Sequence, residues 1–306
     1  MLRGLGRYVY MNSDTIDSIR ALVNLIDDRA TEPINLDQLA KEVGISKYYL
    51  HRMFKSITNR SLMTYVRERR LSLSVQHLLH SNLNIIDIAT EYQFDYEQSY
   101  IRAFKKKYKV TPAQYRKCQI ELPIEQKLDL NALHTVGDGL MVEPRMCVKP
   151  RFCVQGLESE IVHLENLEYK TTNQQAEEVW KDYLPLIDNV INRNIYIGLV
   201  RYTEHALYSN YYVSGTEVEV GTSYKAPLVS YEIEPYEYAV FRYVGCHSPH
   251  DITFEALLNI YSFIDNWKLT TAYHQAAPFH FERVDLQICS DDYCEMDIYI
   301  PITLNN

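Results

Sequence analysis

The chain has 306 residues, of which 46% are hydrophobic and 23% are charged, and its formal net charge is −9. This length is enough for two domains. No stretch of the sequence approaches the roughly 18 apolar residues that a membrane-spanning helix requires, so we expect a soluble protein rather than an integral membrane protein.

The charge is divided unevenly along the sequence. Residues 1–120 hold 19 Lys and Arg against 12 Asp and Glu, whereas residues 121–306 hold 12 against 28. A basic segment suits the phosphates of nucleic acid, and an acidic one is repelled by them. We therefore expect any contact with double-stranded DNA to be confined to the first part of the chain.

The cysteines and the N-terminus give no indication of a metal or of export. The six cysteines contain no CxxC motif and have no histidine at zinc-ligand spacing; they are Cys118, Cys147, Cys153, Cys246, Cys289 and Cys294. We expect free thiols in a reduced, cytoplasmic protein without cofactor or metal. Residues 1–12 lack the apolar core of a signal peptide and are interpreted as an N-terminal extension.

The first predicted helix starts at a cap formed by Ser13 or Asp14. Its apolar residues fall on one face of a helix; they are Ile16, Ile19, Leu22, Val23 and Ile26. This helix opens the first predicted domain, residues 13–120.

A helix-turn-helix pattern follows. Asn35 and Gln38 form the start of a short helix over residues 36–43, Gly44 suits the left-handed conformation of a tight turn, and Ser46 can cap a second helix. The outward side chains near the start of that second helix are basic, aromatic or polar, as on a helix that enters the major groove. They are Lys47, Tyr48, His51, Arg52 and Lys55.

The same pattern occurs again about 50 residues later. Asn84 can cap a helix over residues 85–92, and Asp95 can cap the helix that starts at Tyr96. The outward residues of that helix are Glu97, Gln98, Ser99, Arg102 and Lys106. Glutamine suits adenine and arginine suits guanine, so we expect these side chains to contact bases.

A long helix over residues 61–80 connects the two patterns, and we expect its Arg67, Arg69 and Arg70 to contact backbone phosphates. One helix-turn-helix pattern, or one exposed arginine, is weak evidence by itself. Two patterns joined by a helix favour a monomer that contacts two successive segments of the major groove.

These residues resemble the AraC/XylS family of transcriptional regulators, in its Rob-like branch. The matching segments are residues 46–55 (SKYYLHRMFK), 65–71 (YVRERRL), 94–106 (FDYEQSYIRAFKK) and 111–116 (TPAQYR). The resemblance implies an all-α domain with two helix-turn-helix motifs, RNA polymerase as a partner, and base contacts from the outward residues of both helices. Tyr48 and His51 stand where the branch usually has Trp and Gln. Gln93 stands where the family usually has Gly, which predicts a less tight second turn.

Residues 121–140 are predicted to be a linker, with its loosest point at Gly137-Asp138-Gly139. Residues 141–306 are predicted to form a second domain. We predict strands at residues 146–161, 195–202, 207–220, 228–244, 280–286 and 295–300, and helices at 173–192 and 249–267. The order strand, helix, strand, strand appears twice and predicts a pseudo-twofold α+β domain.

Residues 234–243, 279–285 and 296–302 resemble the GyrI-like effector-binding domain. That resemblance implies that Glu282 meets the cation of a ligand, although Val284 stands where Tyr is usual; the alternative is an ion pair between Glu282 and an arginine. The domain holds 16 of the 26 tyrosines. Their aromatic faces could form a cleft that binds flat or cationic organic molecules. The alternative is that the tyrosines simply fill strand faces, where Tyr has a high propensity. The candidate ligand-binding residues are Glu282, Phe281, Tyr238 and Trp180.

We therefore expect a DNA-binding regulator, an activator of stress or antimicrobial-tolerance genes that binds DNA as a monomer. A hydrophobic or cationic small molecule would modulate it. One alternative is an architectural or origin-binding protein without an inducer. The other is a hydrolase in which Glu282 acts as a base. Because no catalytic triad, Cys-His pair or phosphate-binding loop is evident, we do not expect an enzyme.

Overall fold

The computed structural model describes residues 13–304 except 119–120, 125–126, 129, 131–132, 137–138 and 206–207. The chain divides after residue 131 into two compact units, a helical unit and a sheet unit. The predicted N-terminal extension, the side chains proposed to cap the first helix, and Gly137 and Asp138 of the predicted linker lie outside what is described.

The helical unit contains the predicted pair of helix-turn-helix motifs joined by a long helix, so this part of the fold prediction is confirmed. Its helices are α1 (Ser13–Asp28), α2 (Leu36–Glu42), α3 (Lys47–Thr58), α4 (Leu62–His80), α5 (Ile85–Glu91), α6 (Glu97–Tyr108) and α7 (Pro112–Cys118). The first motif, α2–α3, buries Leu50 and Phe54, and the Phe54 ring lies 5.4 Å from that of Tyr65 on α4. The second motif, α5–α6, buries Tyr100 and Phe104 in a separate cluster. Helix α4 therefore contributes to the cores of both motifs.

The first turn forms as the sequence predicts. The Asn35 side chain accepts a hydrogen bond from the Gln38 amide at 2.8 Å, and the Ser46 hydroxyl accepts one from the Tyr49 amide at 3.3 Å. Gly44 has φ +71°, in the left-handed region that glycine adopts without steric penalty. Each helix end is thus fixed by a residue within three positions of it, which is why the sequence alone located them.

The second turn differs from the prediction. Gln93 takes φ +60° in place of glycine, and the Phe94 amide donates to the Ala89 carbonyl at 2.9 Å, so the turn is as tight as the first. The expectation of a looser turn is wrong. The Gln93 side chain also donates to the Thr31 carbonyl at 2.7 Å. Three residues separate Gln93 from the start of α6, whereas two separate Gly44 from the start of α3. Tyr96, not Asp95, therefore occupies the N-cap of α6.

The sheet unit is an antiparallel ten-stranded sheet with helices, which confirms the predicted α+β class. Its strands are β1 (Leu133–Val136), β2 (Gly139–Lys149), β3 (Phe152–Val162), β4 (Ile195–Tyr202), β5 (Ser209–Val218), β6 (Val229–Ile233), β7 (Tyr236–Gly245), β8 (Tyr273–Gln275), β9 (Phe279–Asp285) and β10 (Cys294–Leu304). Its helices are α8 (His163–Tyr169), α9 (Thr171–Glu178) and α10 (Phe254–Thr270). The strand order is β1-β2-β7-β10-β9-β4-β5-β3-β6, with β8 beside β10.

The pseudo-twofold repeat is confirmed by the strand register. Strands β3, β4 and β5 pair in the order β3-β5-β4, and β7, β9 and β10 pair in the equivalent order β7-β10-β9. The two modules meet where β4 pairs with β9, and Gly198 lies opposite Glu282 near the middle of that pair. In one module Gly198 of β4 pairs with Ser214 of β5, and in the other Glu282 of β9 pairs with Ile298 of β10. Gly198 and Glu282 are therefore equivalent positions of the two modules.

Several elements of the sheet unit differ from the sequence prediction. The predicted strands at residues 146–161 and 228–244 are each divided into two strands, β2 and β3 in the first case and β6 and β7 in the second, and β8 was not predicted. Strand β1 lies inside the predicted linker and pairs with β2, so the sheet unit begins before residue 141. The predicted helix over 173–192 ends early, in a π-helical turn at Val179–Tyr183 and a 3₁₀ turn at Leu184–Leu186, because Pro185 cannot continue an α-helix. Helix α8 was not predicted, since it has no apolar stripe and its one buried residue is Asn166.

Candidate nucleic-acid interface and effector pocket

On α3, the exposed Tyr48 and the half-buried Arg52 contact each other. Tyr48 is 68% exposed, and Arg52 lies one helical turn further along. The Arg52 guanidinium donates to the Tyr48 hydroxyl at 3.0 Å and lies 5.0 Å from the centre of its ring. The aromatic face and the hydrogen bond fix the guanidinium beside the Tyr48 ring, with its Nη2 atom buried.

The remaining predicted contact residues on α3 are placed unequally. Lys55 is exposed and His51 is half-buried. Lys47 is exposed, but its ammonium donates to the Asp37 carboxylate of α2 at 2.8 Å. An exposed ion pair of this kind contributes little, at most about 1 kcal/mol, so a phosphate can compete for Lys47.

On α6 the side chains of Gln98, Arg102 and Lys106 are exposed, and Glu97 and Ser99 are half-buried. The Ser99 hydroxyl donates to the Tyr96 carbonyl at 2.6 Å, which leaves its lone pairs available as acceptors. Tyr96 itself is 72% exposed at the start of the helix. The sequence pattern identifies Tyr96 only as a helix boundary and does not reveal it as a candidate contact.

The three arginines of α4 have different roles. Arg67 is exposed, as a phosphate contact requires. Arg70 is 8% exposed, and its guanidinium donates to the Ala30 carbonyl at 2.8 Å and the Glu32 carbonyl at 2.6 Å. Arg69 is 6% exposed, and it donates to both oxygens of Asp27, at 2.8 and 2.7 Å.

The expectation that Arg69 and Arg70 contact phosphate is therefore corrected. Both guanidiniums are directed into the helical unit, where they connect α4 to the end of α1 and the segment that follows it. Their partners lie about 40 residues earlier in the sequence, so no local pattern could have distinguished them from Arg67.

In the sheet unit, Glu282 lies on β9 and is 4% exposed. Its Oε1 accepts a hydrogen bond from the Tyr261 hydroxyl at 2.5 Å, and its Oε2 accepts one from the Tyr212 hydroxyl at 3.1 Å. The Tyr212 hydroxyl also lies 3.0 Å from that of Tyr196. The hydrogen-bond partners of this carboxylate are thus two tyrosines, one on α10 and one on β5, rather than an arginine, so the alternative of an Arg–Glu282 ion pair receives no support from the described residues.

Burial dominates the electrostatics of this site. It raises the pKa of Glu282 above its ordinary value, although the hydrogen bonds from Tyr261 and Tyr212 act in the opposite direction. Burial also lowers the pKa of His280, two residues earlier on the same strand face, to about 3. The neutral His280 ring lies 2.8 Å from the Tyr261 hydroxyl and 2.7 Å from that of Tyr202. A cation placed beside Glu282 would stabilise its ionised form.

Two cavities adjoin Glu282. The smaller has a volume of about 150 Å³, and its lining includes Trp180, Asn173 and Val284. The larger has a volume of about 400 Å³, and its lining includes Asn210 and Lys268. Both cavities are lined by Thr172, Tyr212, Leu257 and Glu282. Glu282 therefore stands where the two cavities meet.

Two predicted ligand-binding residues are placed elsewhere. Successive residues of a strand point to opposite faces of a sheet, so Phe281 lies on the face opposite Glu282, where its ring stacks on Tyr299 at 4.4 Å. Tyr238 packs in the same buried cluster as Phe281. Neither lines the two cavities, and their assignment to the pocket is corrected. Trp180, in the π-helical turn, does line the smaller cavity.

Four members of the site were not predicted from the sequence: His280, Tyr196, Tyr212 and Tyr261. His280 was predictable, because a residue two positions from Glu282 on one strand shares its face. The tyrosines were not, since they come from β4, β5 and α10, and only the tertiary structure brings their hydroxyls together.

Gly198 provides the space for this cluster. A Cβ atom at Gly198 would lie 2.2 Å from the Tyr212 hydroxyl and 3.0 Å from Glu282 Oε2. We predict that Gly198→Ala destabilises the sheet unit by about 1–3 kcal/mol, as overpacking does in a buried site. Urea unfolding measures this change. The double variant Gly198→Ala/Tyr212→Phe, which removes the clashing oxygen, is expected to recover part of the loss; equal destabilisation of both variants would contradict the explanation.

The described part of the chain contains no helix that is long and apolar enough to span a membrane. Within the same residues, no group of three or more His, Cys, Asp or Glu side chains is placed to hold a metal ion.

Comparison with protein families places a different domain in each unit. Residues 39–118 match the family model of a helix-turn-helix domain, and residues 147–302 match that of an integron-associated effector binding protein. The second match covers the strands and helices that surround Glu282.

Among individual proteins, the chain is 41% identical over 104 residues to the transcriptional regulator Rob of Salmonella typhimurium strain LT2, covering 34% of this chain and 36% of Rob. It is 38% identical over 98 residues to the regulatory protein SoxS of the same organism, covering 32% of this chain and 92% of SoxS. The chain thus spans about a third of the length of Rob but nearly all of SoxS. A solved integron cassette protein from the mobile metagenome of Vibrio cholerae has a TM-score of 0.39 and 13% identity, covering 53% of this chain and 97% of that one.

Proposed function

Because the chain belongs to the AraC family of helix-turn-helix regulators and carries an integron-associated effector binding domain after its DNA-binding part, we propose that it is a ligand-responsive transcriptional activator. It binds an asymmetric DNA site as a monomer, with one helix-turn-helix motif on each of two successive major-groove segments. RNA polymerase is its partner at the promoter. Residues 36–116 resemble the Rob-like branch, and this resemblance supports a role at the promoters of stress and antimicrobial-tolerance genes.

The observation that carries the DNA-binding part of this proposal is the equivalence of α3 and α6. Both helices have 12 residues, both present exposed polar side chains near their start, and Arg52 and Arg102 occupy the same position in each. Arginine in the major groove contacts guanine through two hydrogen bonds. Two such helices in one chain allow two different half-sites to be recognised without a second subunit.

The effector part is supported by the surroundings of Glu282. A carboxylate that is 4% exposed and beside two cavities with apolar walls attracts an organic cation, since the cation offsets the unfavourable burial of the charge. The aromatic ring of Trp180 adds a face on which a cation can rest.

We predict that Arg52→Ala and Arg102→Ala each weaken binding by about 1–3 kcal/mol, and each only through its own half of the site. Selection of bound sequences from a random DNA pool defines the site, and competition with base-substituted duplexes then assigns each loss to a position. Arg20→Ala, an exposed arginine on α1, controls for the change in charge. Equal losses on all sequences for both variants would show that Arg52 and Arg102 contact phosphates rather than bases.

The alternative of an architectural or origin-binding protein is tested by the same assay with a ligand present. One of the relatives, 41% identical over 104 residues, is named the right origin-binding protein, from Escherichia coli K12. A ligand that changes neither the DNA affinity nor the transcription from a promoter carrying the selected site would favour this alternative.

A further inference from the structure

Glu282 is one end of a hydrogen-bonded chain that passes through a histidine. Its Oε1 accepts a hydrogen bond from the Tyr261 hydroxyl at 2.5 Å, and that hydroxyl lies 2.8 Å from Nε2 of His280. The other ring nitrogen of His280, Nδ1, lies 2.7 Å from the Tyr202 hydroxyl. These four side chains, termed the relay, join β9, α10 and β4, and Tyr202 at the far end lines the larger cavity.

The His280 ring takes part in the relay as a neutral group. Burial, with a smaller contribution from the charge of Lys268, lowers the pKa of His280 to about 3, so the ring carries a single proton in the neutral pH range. A neutral imidazole donates from one nitrogen and accepts at the other. Two tautomers are therefore available, and the hydrogen bonds of the neighbouring side chains select between them.

When Glu282 is ionised, one tautomer satisfies the whole relay. The carboxylate only accepts, so Tyr261 donates its single proton to Oε1 and offers lone pairs to His280. Nε2 then carries the ring proton, and Nδ1 accepts the hydroxyl proton of Tyr202. The other tautomer would place a lone pair of Nε2 against the Tyr261 oxygen at 2.8 Å, which is unfavourable in a buried site.

Protonation of Glu282 reverses the relay. The carboxyl group receives a shorter bond from Tyr261 than from Tyr212, 2.5 Å against 3.1 Å, so the added proton lies on Oε1. Oε1 now donates to Tyr261, Tyr261 donates to Nε2, and Nδ1 carries the ring proton and donates it to Tyr202. One proton is gained overall, from solvent, while the ring gives up a proton at Nε2 and takes one at Nδ1. The hydroxyl proton of Tyr202 is released from His280.

The other titratable and charged groups around the relay come from several elements. Tyr212 of β5 and Tyr196 of β4 lie on the Oε2 side of the carboxyl group, and β10 places the apolar Ile298 opposite Glu282. The remaining groups of this kind that line the two cavities are Lys268, Asp265, His163, His250 and Glu177. Lys268 and Asp265 are paired with each other at 3.1 Å. Because Glu282 is the carboxyl group hydrogen-bonded to Tyr261, its ionisation sets the direction of the relay.

We propose that His280 is a positioning residue of the effector site whose tautomer follows the charge of Glu282, with the ring proton on Nε2 beside the carboxylate and on Nδ1 beside the neutral acid. The relay links Glu282 to the larger cavity, since it decides whether the Tyr202 hydroxyl donates to His280 or is free to donate to a ligand oxygen. This inference rests on the proposed function, because it describes how the same pocket responds to its ligand.

The test determines the tautomer of His280 in the full chain by NMR of protein labelled with ¹⁵N-histidine, since the ring nitrogen that carries the proton has a distinct chemical shift. His280 is the ring that stays neutral at about pH 5 and is absent from His280→Gln. We expect the proton on Nε2 at about pH 9 and on Nδ1 at about pH 5, because the neutral acid is the form present below the raised pKa of Glu282. Glu282→Gln, which does not titrate, should show one tautomer at both pH values.

Tyr261→Phe and Tyr212→Phe are the matched variants, because each removes one hydroxyl bonded to Glu282 and only Tyr261 belongs to the relay. Tyr261→Phe should abolish the change of tautomer, and Tyr212→Phe should keep it. A wild-type ring with the same tautomer at both pH values would overturn the relay, and this measurement decides even if a variant fails to fold. A change of tautomer that survives Glu282→Gln or Tyr261→Phe would also overturn it.

A ligand arm separates the relay from the proposed effector site. Saturation of the wild type with tetraphenylphosphonium, a hydrophobic cation without N–H groups, should return the ring proton to Nε2 at about pH 5, since a cation beside Glu282 favours the carboxylate. A pH-dependent tautomer that this cation leaves unchanged would support the relay and contradict the proposed effector site.

Discussion

Arg69→Ala is expected to lower the free energy of unfolding of the helical unit by about 3–5 kcal/mol, the range found when one partner of a buried ion pair is removed. Arg69 is 6% exposed and makes two hydrogen bonds to Asp27, so the substitution leaves the Asp27 carboxylate without its cation in a largely buried place. It also removes a link between α4 and α1. Urea unfolding followed by circular dichroism measures the change.

Arg67→Ala is the matched control, because Arg67 lies on the same helix but is exposed. It should leave the stability within about 0.5 kcal/mol of the wild type, as surface substitutions usually do. If Arg67 contacts a phosphate, its loss reduces the salt dependence of DNA binding by about one counterion. The opposite pattern, a stable Arg69→Ala variant and an unstable Arg67→Ala variant, would contradict a structural role for Arg69 and a surface role for Arg67.

Glu282→Gln is expected to weaken the binding of a hydrophobic cation such as tetraphenylphosphonium by about 2–5 kcal/mol, because truncating one partner of a buried charge pair leaves the other unpaired. The glutamine keeps the size of the side chain, so the cavities are preserved. Fluorescence or calorimetric titration of the full chain measures the loss. Glu204→Gln, an exposed change of the same kind, should leave the affinity unchanged.

The same substitution is expected to increase the stability of the ligand-free protein at neutral pH. Burial raises the folded-state pKa of Glu282 above its ordinary value of 4.5, so the favourable contribution of its protonated form is present below about pH 4.5 and is lost as the pH rises through the folded-state pKa. Glu282→Gln should therefore unfold at a higher urea concentration than the wild type at pH 7, and the difference should shrink below pH 4.5. A variant that is less stable than the wild type at pH 7 would contradict this.

The two effects of Glu282→Gln have opposite signs, and that separates a binding role from a structural one. A carboxylate kept only for the fold would lose stability on substitution and leave the cation affinity unchanged. Buried functional groups commonly reduce stability in this way, since the site is organised for its ligand rather than for the free protein.

The helix-turn-helix motifs were predictable because their determinants are local. Asn35, Ser46 and Gly44 each fix a helix end within a few residues, and the apolar spacing identifies the inner faces. The second turn was predicted less well because Gln93 adopts a backbone conformation that its residue type disfavours. Its side-chain bond to the Thr31 carbonyl, across 62 positions of sequence, is not visible in any local pattern.

The pocket was predictable only in part. The resemblance placed Glu282, and the periodicity of the strands was sufficient to show that Phe281 faces the other way. It could not show which face carries the cavities, because both faces of this sheet are lined by buried apolar side chains. The two tyrosine hydroxyls bonded to Glu282 come from positions 21 and 70 residues away, and their convergence is a property of the fold.

The equivalence of Gly198 and Glu282 limits how many ligands one chain can hold. A perfectly repeated pair of modules would put a carboxylate at both positions, directly across the β4–β9 ladder, where like charges repel each other. Glycine at one of the two positions removes that repulsion and also leaves space for the Tyr212 ring. The pseudo-twofold symmetry of the sheet is thus broken at the β4–β9 junction, where its axis lies. We therefore expect one effector molecule to bind per polypeptide, with a binding isotherm that shows no cooperativity.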